Sequence, residues 1–319
     1  MQTGFSNSSQ PSNHPTIQLF DEPFLRKLER LAILSRRAMA GQLQGERRSP
    51  KRGQSVEFAD FRPYAPGDDF RRIDWNAYAR LERFFLKLFV EEEDLTVHLL
   101  IDTSRSMDWG EPNKLLYAAR AAGALGYVAL AGLDRVTVTA FGGRNTPDGS
   151  PGYFAPRRGK GQASSLFMFL QRLAAGGRAS LAPHLAAYAA ATTQPGPLLL
   201  FSDLLDDGWS EGLRALASRG FEVTVLHILA PEEVDPGKAG WLGDGQTGDL
   251  KLRDVETDAE VEITADYELL QRYRQNLTTW QEELRRFCNA RAMHYVPVET
   301  SIPLDELLFA WLRQRGILK

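Results

Sequence analysis

Between residues 95 and 312, short apolar runs alternate with stretches whose apolar residues recur every three or four positions, and no other feature restricts the fold as much. Runs at 95–101, 135–141, 198–202, 222–229 and 293–298 have the length and composition of buried strands, while 114–131, 164–175, 181–191, 212–218, 266–287 and 304–312 carry helical spacing. Strands this apolar have to be covered on both sides. Their order with the helices predicts an α/β fold, a mostly parallel sheet with helices on both faces. Ligands of such sheets sit at the carboxyl ends of strands, which directs attention to the loops after Ile101, Phe141 and Ser202.

The rest of the chain departs from this rhythm. Residues 1–20, rich in Ser, Asn, Gln and Pro, read as a disordered tail without the cationic start and apolar block of a secretory signal. From 21 to 40 the positions of Phe24, Leu25, Leu28, Leu31, Ala32 and Leu34 predict an amphipathic helix. Residues 53–90 show neither period, so 21–94 reads as an N-terminal helix and an irregular Arg/Asp/aromatic segment packed on a main domain spanning 95–319. Within that domain a Gly-rich break at about 236–263 holds Leu250-Lys251-Leu252 and Val261-Glu262-Ile263, the signature of an inserted β-hairpin.

A chain of 319 residues with 43% hydrophobic content can bury one large core, and its formal charge of -3 creates no global field toward nucleic acid or an anionic membrane. No nucleic-acid partner is expected. The longest apolar stretch, 118–133, contains Arg120 and falls short of the roughly 20 residues a membrane helix needs. The single cysteine, Cys288, allows no internal disulfide and reads as a buried, inert thiol in a cytoplasmic protein.

One string carries chemistry. Asp102, Ser104 and Ser106 directly follow the first strand of the main domain, a spacing that lets a tight loop turn three oxygen-bearing side chains toward one point. Asp203 ends another strand and approaches the same edge. Hard cations such as Mg2+ favour clusters of this kind. Asp and Ser are also the commonest loop and helix caps, so the same residues have a purely structural reading.

Asp102-Thr103-Ser104-Arg105-Ser106 with Asp203 resembles the metal-ion-dependent adhesion site of von Willebrand factor A domains. The upstream residues 57–75, with Phe58, Asp60, Arg62, Pro63, Tyr64, Pro66, Gly67, Asp68, Asp69, Arg71, Arg72, Asp74 and Trp75, resemble the signature of the domain-of-unknown-function 58 family, in which such an A-like domain follows. The resemblance spans roughly residues 20–315, inserted hairpin included. It implies a Rossmann-type, von Willebrand factor A-like fold and an adaptor working beside a MoxR-type AAA+ ATPase in the assembly or maturation of another complex. It also implies a metal-binding Thr from a second loop. The matching stretch, Gly177-Arg178-Ala179-Ser180-Leu181, has Ala179 at that place, so the site is expected to be weakened, rebuilt with Ser180, or a relic that binds partners without metal.

The upstream segment mixes Asp68, Asp69 and Asp74 with Arg62, Arg71 and Arg72 around Tyr64 and Trp75. Planar Arg forks pair with carboxylates and stack on aromatic rings, so this mixture can either pin the segment to the main domain or offer a docking surface to a partner. The basic cluster Arg47, Arg48, Lys51 and Arg52 reads as a solvated loop.

For an enzyme the sequence supplies little. His98, His227 and His294 fall in apolar strands, where a satisfied core imidazole is the expected role, and Gly142-Gly143-Arg144 lacks the spacing of a phosphate-binding loop. The expectation is a non-catalytic protein-binding chain. Its competitor is a metal-dependent phosphoester hydrolase in which Asp102 and Asp203 hold the ion that activates water.

Overall fold

The computed structural model describes residues 20–34, 57–65, 68, 70, 73–90, 95–142, 152–178, 180–236, 248–253, 260–265 and 267–319. At its centre lies a six-stranded sheet built from β3 (Thr96–Asp102), β4 (Arg135–Phe141), β5 (Tyr153–Arg158), β6 (Pro197–Ser202), β7 (Glu222–Leu229) and β10 (His294–Glu299) in the order β10-β7-β6-β3-β4-β5. All pairs are parallel except β4 with β5. The central strands β3 and β6 are buried at every position, which is why their sequences are unbroken apolar runs rather than alternations.

Alternate residues of β3 feed two cores. Val97, Leu99 and Ile101 pack with helix α3 (Lys114–Ala131), helix α1 (Glu22–Leu28) and helix α4 (Ala163–Gln171). Leu100 faces the other way, into the core shared by α5 (Leu181–Ala191), α6 (Trp209–Ser218) and α8 (Tyr267–Asn289). A one-turn helix Pro231–Val234, α7, follows β7, and the described chain closes with Leu304–Glu306, α9, running into a π-helical turn at Leu307–Leu312. This is the α/β architecture expected, a mostly parallel sheet with helices on both faces. The hairpin is present as antiparallel β8 (Gly248–Arg253) and β9 (Glu260–Ala265), with Leu250 opposite Ile263. Cys288 is fully buried, and burial pushes its thiol up to about 12.

Three elements differ from expectation. The helix predicted over 21–40 ends at Leu28, because the chain then turns to pair with the C-terminal residues: Ile33 bridges Leu318, and Ala32 and Lys319 exchange backbone hydrogen bonds. Residues 35–40 lie outside the described residues, as do the tail through residue 19 and the basic cluster at 47–52. Strand β5 was not expected, since Pro156, Arg157 and Arg158 disfavour a central strand; at the sheet edge a missing N–H and charged side chains cost nothing.

The third difference is the upstream segment, which is regular rather than irregular. β1 (Glu57–Pro63) pairs antiparallel with β2 (Phe85–Val90), and α2 (Trp75–Leu81) lies between them in sequence. The acids here cap the backbone. Asp74 accepts from the amides of Asn76 (2.9 Å) and Ala77 (3.2 Å), opening α2, and the Asp68 carboxylate accepts from Ala65 N at 2.9 Å. Cap chemistry of this kind leaves no trace in hydrophobic periodicity.

Candidate functional site

The loops after β3 and β6 bring Asp102, Ser104, Ser106 and Asp203 to one end of the sheet, as their positions at strand ends require. Asp102 Oδ1 accepts from the Ser104 amide at 2.9 Å and Oδ2 from Ser202 Oγ at 2.7 Å. Ser104 Oγ lies 3.0 Å from Ser106 Oγ, and Ser202 Oγ in turn accepts from Leu204 N at 3.0 Å. Leu204 adopts a left-handed φ of 56°, a strained conformation for a branched apolar residue, at the point where the chain leaves β6.

Asp203 is committed elsewhere. Its Oδ1 accepts from Leu205 N at 3.2 Å, and its Oδ2 takes a 2.8 Å bond from the ammonium of Lys114, the first residue of α3. Lys114 Nζ donates a second bond, 2.6 Å, to Glu233 Oε1, and Glu233 Oε2 accepts from Ala230 N at 2.8 Å. The Lys114 and Asp203 side chains are both 0% exposed. Burial alone would depress the ammonium, but the charges of Asp203 and Glu233, each also hydrogen bonded to it, hold it above its usual range. For Glu233 burial prevails over the pull of Lys114, and the carboxyl is raised. Asp102 is pushed up to about 6, first by burial and then by the nearby charge of Asp203.

A third layer fixes the backbone beneath Asp203. His227 Nε2 lies 3.0 Å from the Asp203 carbonyl and Nδ1 2.7 Å from Tyr295 Oη. A carbonyl only accepts, so Nε2 carries the proton and Nδ1 receives the tyrosine hydroxyl. His98 repeats the arrangement with the Gln194 carbonyl and Tyr188 Oη. Burial holds both imidazoles near 4, and both are the satisfied core histidines expected from their strands.

The loops are closed on each other by backbone bonds. Thr103 N and Oγ1 both donate to the Phe141 carbonyl at 2.8 Å, Gly176 N donates to the Thr103 carbonyl at 2.8 Å, and Arg105 N to that of Gly177 at 3.1 Å. Gly142, at φ 89°, permits this approach, since a Cβ there would stand 2.8 Å from the Ser104 nitrogen. In consequence Asp102, Ser104 and Asp203 are all 0% exposed, and the polar floor lies beneath its loops. On the loops after β3 and β6, two large apolar side chains remain outside among the described residues, Trp109 (40% exposed) and Leu205 (54%).

A divalent ion of the Mg2+ type asks for several oxygens turned to one point. Here Asp203 is bridged by an ammonium, both oxygens of Asp102 are taken by donors of its own loops, and the two serine hydroxyls bond each other. As arranged, these residues do not fit such an ion. Ser180 does not join them: it stands at the N-cap of α5, its carbonyl accepts from His184 Nδ1 at 2.6 Å, and among the described residues its hydroxyl bonds no member of the cluster. Ala179 lies outside the described residues.

Of the upstream candidates, Tyr64, Asp68, Asp74 and Trp75 are described with their side chains, Arg62 by its backbone in β1 alone, and Asp69, Arg71 and Arg72 lie outside the described residues. What the structure assembles there is an aromatic ledge. Tyr78 and Phe84 stack at 4.5 Å with an interplanar angle of 2°, and Trp75 meets each of them edge to face.

Lys114, Glu233 and Ser202 were not singled out by the sequence. Lys114 resembles any first-turn polar residue, although it heads a stripe with Ala118, Ala121 and Leu125 that is wholly buried. A lysine at the head of a buried stripe is the signal that could have found it.

Among solved structures, the chain is similar to the conserved hypothetical protein BatB from Bacteroides thetaiotaomicron (17% identity, TM-score 0.37, covering 64% of this chain and 90% of that one). It is also similar to a von Willebrand factor type A protein from Catenulispora acidiphila (18% identity, TM-score 0.31, covering 43% of this chain and 34% of that one). Among curated proteins, the uncharacterized proteins Mb1516 of Mycobacterium bovis and Rv1480 of Mycobacterium tuberculosis are each 28% identical over 264 residues, 79% of this chain and 78% of theirs. The model of the family described as protein of unknown function DUF58 matches residues 60–283, well over half of the sequence, and the chain belongs to that family.

Proposed function

We propose that the chain is a non-catalytic, cytoplasmic protein-binding adaptor that presents the carboxyl end of its sheet to a MoxR-type AAA+ ATPase or to that ATPase's client, in the assembly or maturation of another complex. The observation that carries this reading is the division of the strand end into a closed polar floor and two exposed apolar side chains, Trp109 and Leu205, on the loops after neighbouring strands. Large apolar side chains over a rigid base are the usual anchors of a protein interface. The aromatic ledge of Trp75, Tyr78 and Phe84 supplies a second contact of the same kind.

A hydrolase reading is less well supported, because Asp102 and Asp203 present no carboxylate to solvent where a substrate could meet an attacking water. Size-exclusion chromatography of the purified chain with the MoxR-type ATPase, with and without ATP, tests the proposal. A stable complex is expected, weakened about tenfold or more in a Trp109→Ala/Leu205→Ala variant. No complex under either condition, or a variant that binds as well as the parent, overturns it.

A further inference from the structure

We infer that the ε-ammonium of Lys114 is the resident cation of this strand end, and that the loops keep their form without a divalent ion. Asp203, the carboxylate whose position at a strand end suits a metal, instead holds Lys114 Nζ at 2.8 Å, and Glu233 grips the same nitrogen at 2.6 Å. Lysine at the first position of a helix faces the positive end of the helix dipole and is unfavourable there, the more so when fully buried. Two carboxylates from separate strand ends offset that cost. One positive charge thus joins α3 to the loop after β6 and, through Glu233, to the turn after β7.

The remaining oxygens point the same way. Asp102 accepts from an amide and a hydroxyl of its own loops, and the Ser104 and Ser106 hydroxyls bond one another. The loop carrying them is tied at Thr103 and Arg105 to the loops after β4 and α4 by backbone bonds that no ion has to template.

The test uses the full chain and Mg2+ or Mn2+ alone. Thermal melts in millimolar metal and in chelator should coincide to within about 1 °C for the unaltered protein, and calorimetric titration with either ion should show no saturable heat. Lys114→Met removes the charge while keeping the length of the stem and leaves Asp203 and Glu233 facing each other. This variant should melt lower in chelator and recover by several degrees in metal. A parent whose melting point rises by several degrees with Mg2+, with the rise abolished in Asp203→Asn, overturns the inference. The parent's two melts decide this even if Lys114→Met fails to fold.

Discussion

The strand end and the ledge on α2 distribute their side chains in opposite ways. At the strand end three acids, a lysine and several hydroxyls are largely withdrawn from water and spend their hydrogen bonds on one another and on the backbone; on the ledge Trp75, Tyr78 and Phe84 are 60%, 38% and 42% exposed. Burying charge is tolerable only when partners are supplied in full, and the fold supplies them. Exposing aromatic surface costs solubility and is commonly kept for an interface. The region with the recognisable metal-site residues is therefore the one built for rigidity, and the less regular-looking region offers the more open surface.

The largest effect expected from this contrast is at Lys114. Lys114→Ala leaves the buried Asp203 and the half-buried Glu233 without a counter-charge and should cost about 3–5 kcal/mol in urea unfolding. A loss below 1 kcal/mol would mean that the floor is wetter than described.

Next in size is the response to acid. His98 and His227 are held near 4 by burial, so the unfolded chain takes up protons that the folded one refuses. The stability they contribute is complete above about 6.5 and is lost as pH falls through about 4, roughly 3 kcal/mol for each. Asp102 and Asp134, pushed up to about 6 chiefly by burial, act with the opposite sign: their contribution is present below about 4 and lost as pH rises through 6. Imidazole proton NMR isolates the histidines, and two resonances should titrate near 4; a midpoint near 6.5 for His227, which bonds the Asp203 carbonyl, would contradict a dry strand end.

A smaller effect is expected at Gly142. Alanine there must adopt φ 89° and meet the Ser104 nitrogen at 2.8 Å, a penalty of about 1–3 kcal/mol readable as a lowered melting point. Smallest in stability is Trp75→Ala on the ledge, expected to shift unfolding by about 0.5 kcal/mol while weakening capture of the proposed ATPase partner severalfold. Binding that survives this change would place the contact at the strand end alone.

The strands were legible because parallel strands covered on both faces leave unbroken apolar runs, and β3, β4, β6, β7 and β10 fall within a residue of expectation. Edge strand β5 and the β1–α2–β2 unit were not, since edges tolerate Pro and Arg and caps such as Asp74 depend on backbone geometry rather than periodicity. In the site, Asp102, Ser104, Ser106 and Asp203 were found by position at strand ends. Lys114 was missed because its partners are supplied 89 and 119 residues downstream, and the apolar stripe that it heads marks its burial without naming those partners. The metal chemistry those four residues suggested changes once that fifth side chain is seen.

The pairing of Ile33 with Leu318 bears on how the molecule is divided. Phe20, Leu28 and Leu31 belong to the same core as β3 and α3, and the last residues of the chain clasp the segment that carries them. In chain order the β1–α2–β2 unit precedes the main domain, but in folding terms it is a loop-out between two parts of one core. A truncation beginning at residue 95 would strip that core of its first helix and leave Ile317 and Leu318 without their cover, whereas excising 57–90 and rejoining the flanks spares every residue of that core cluster.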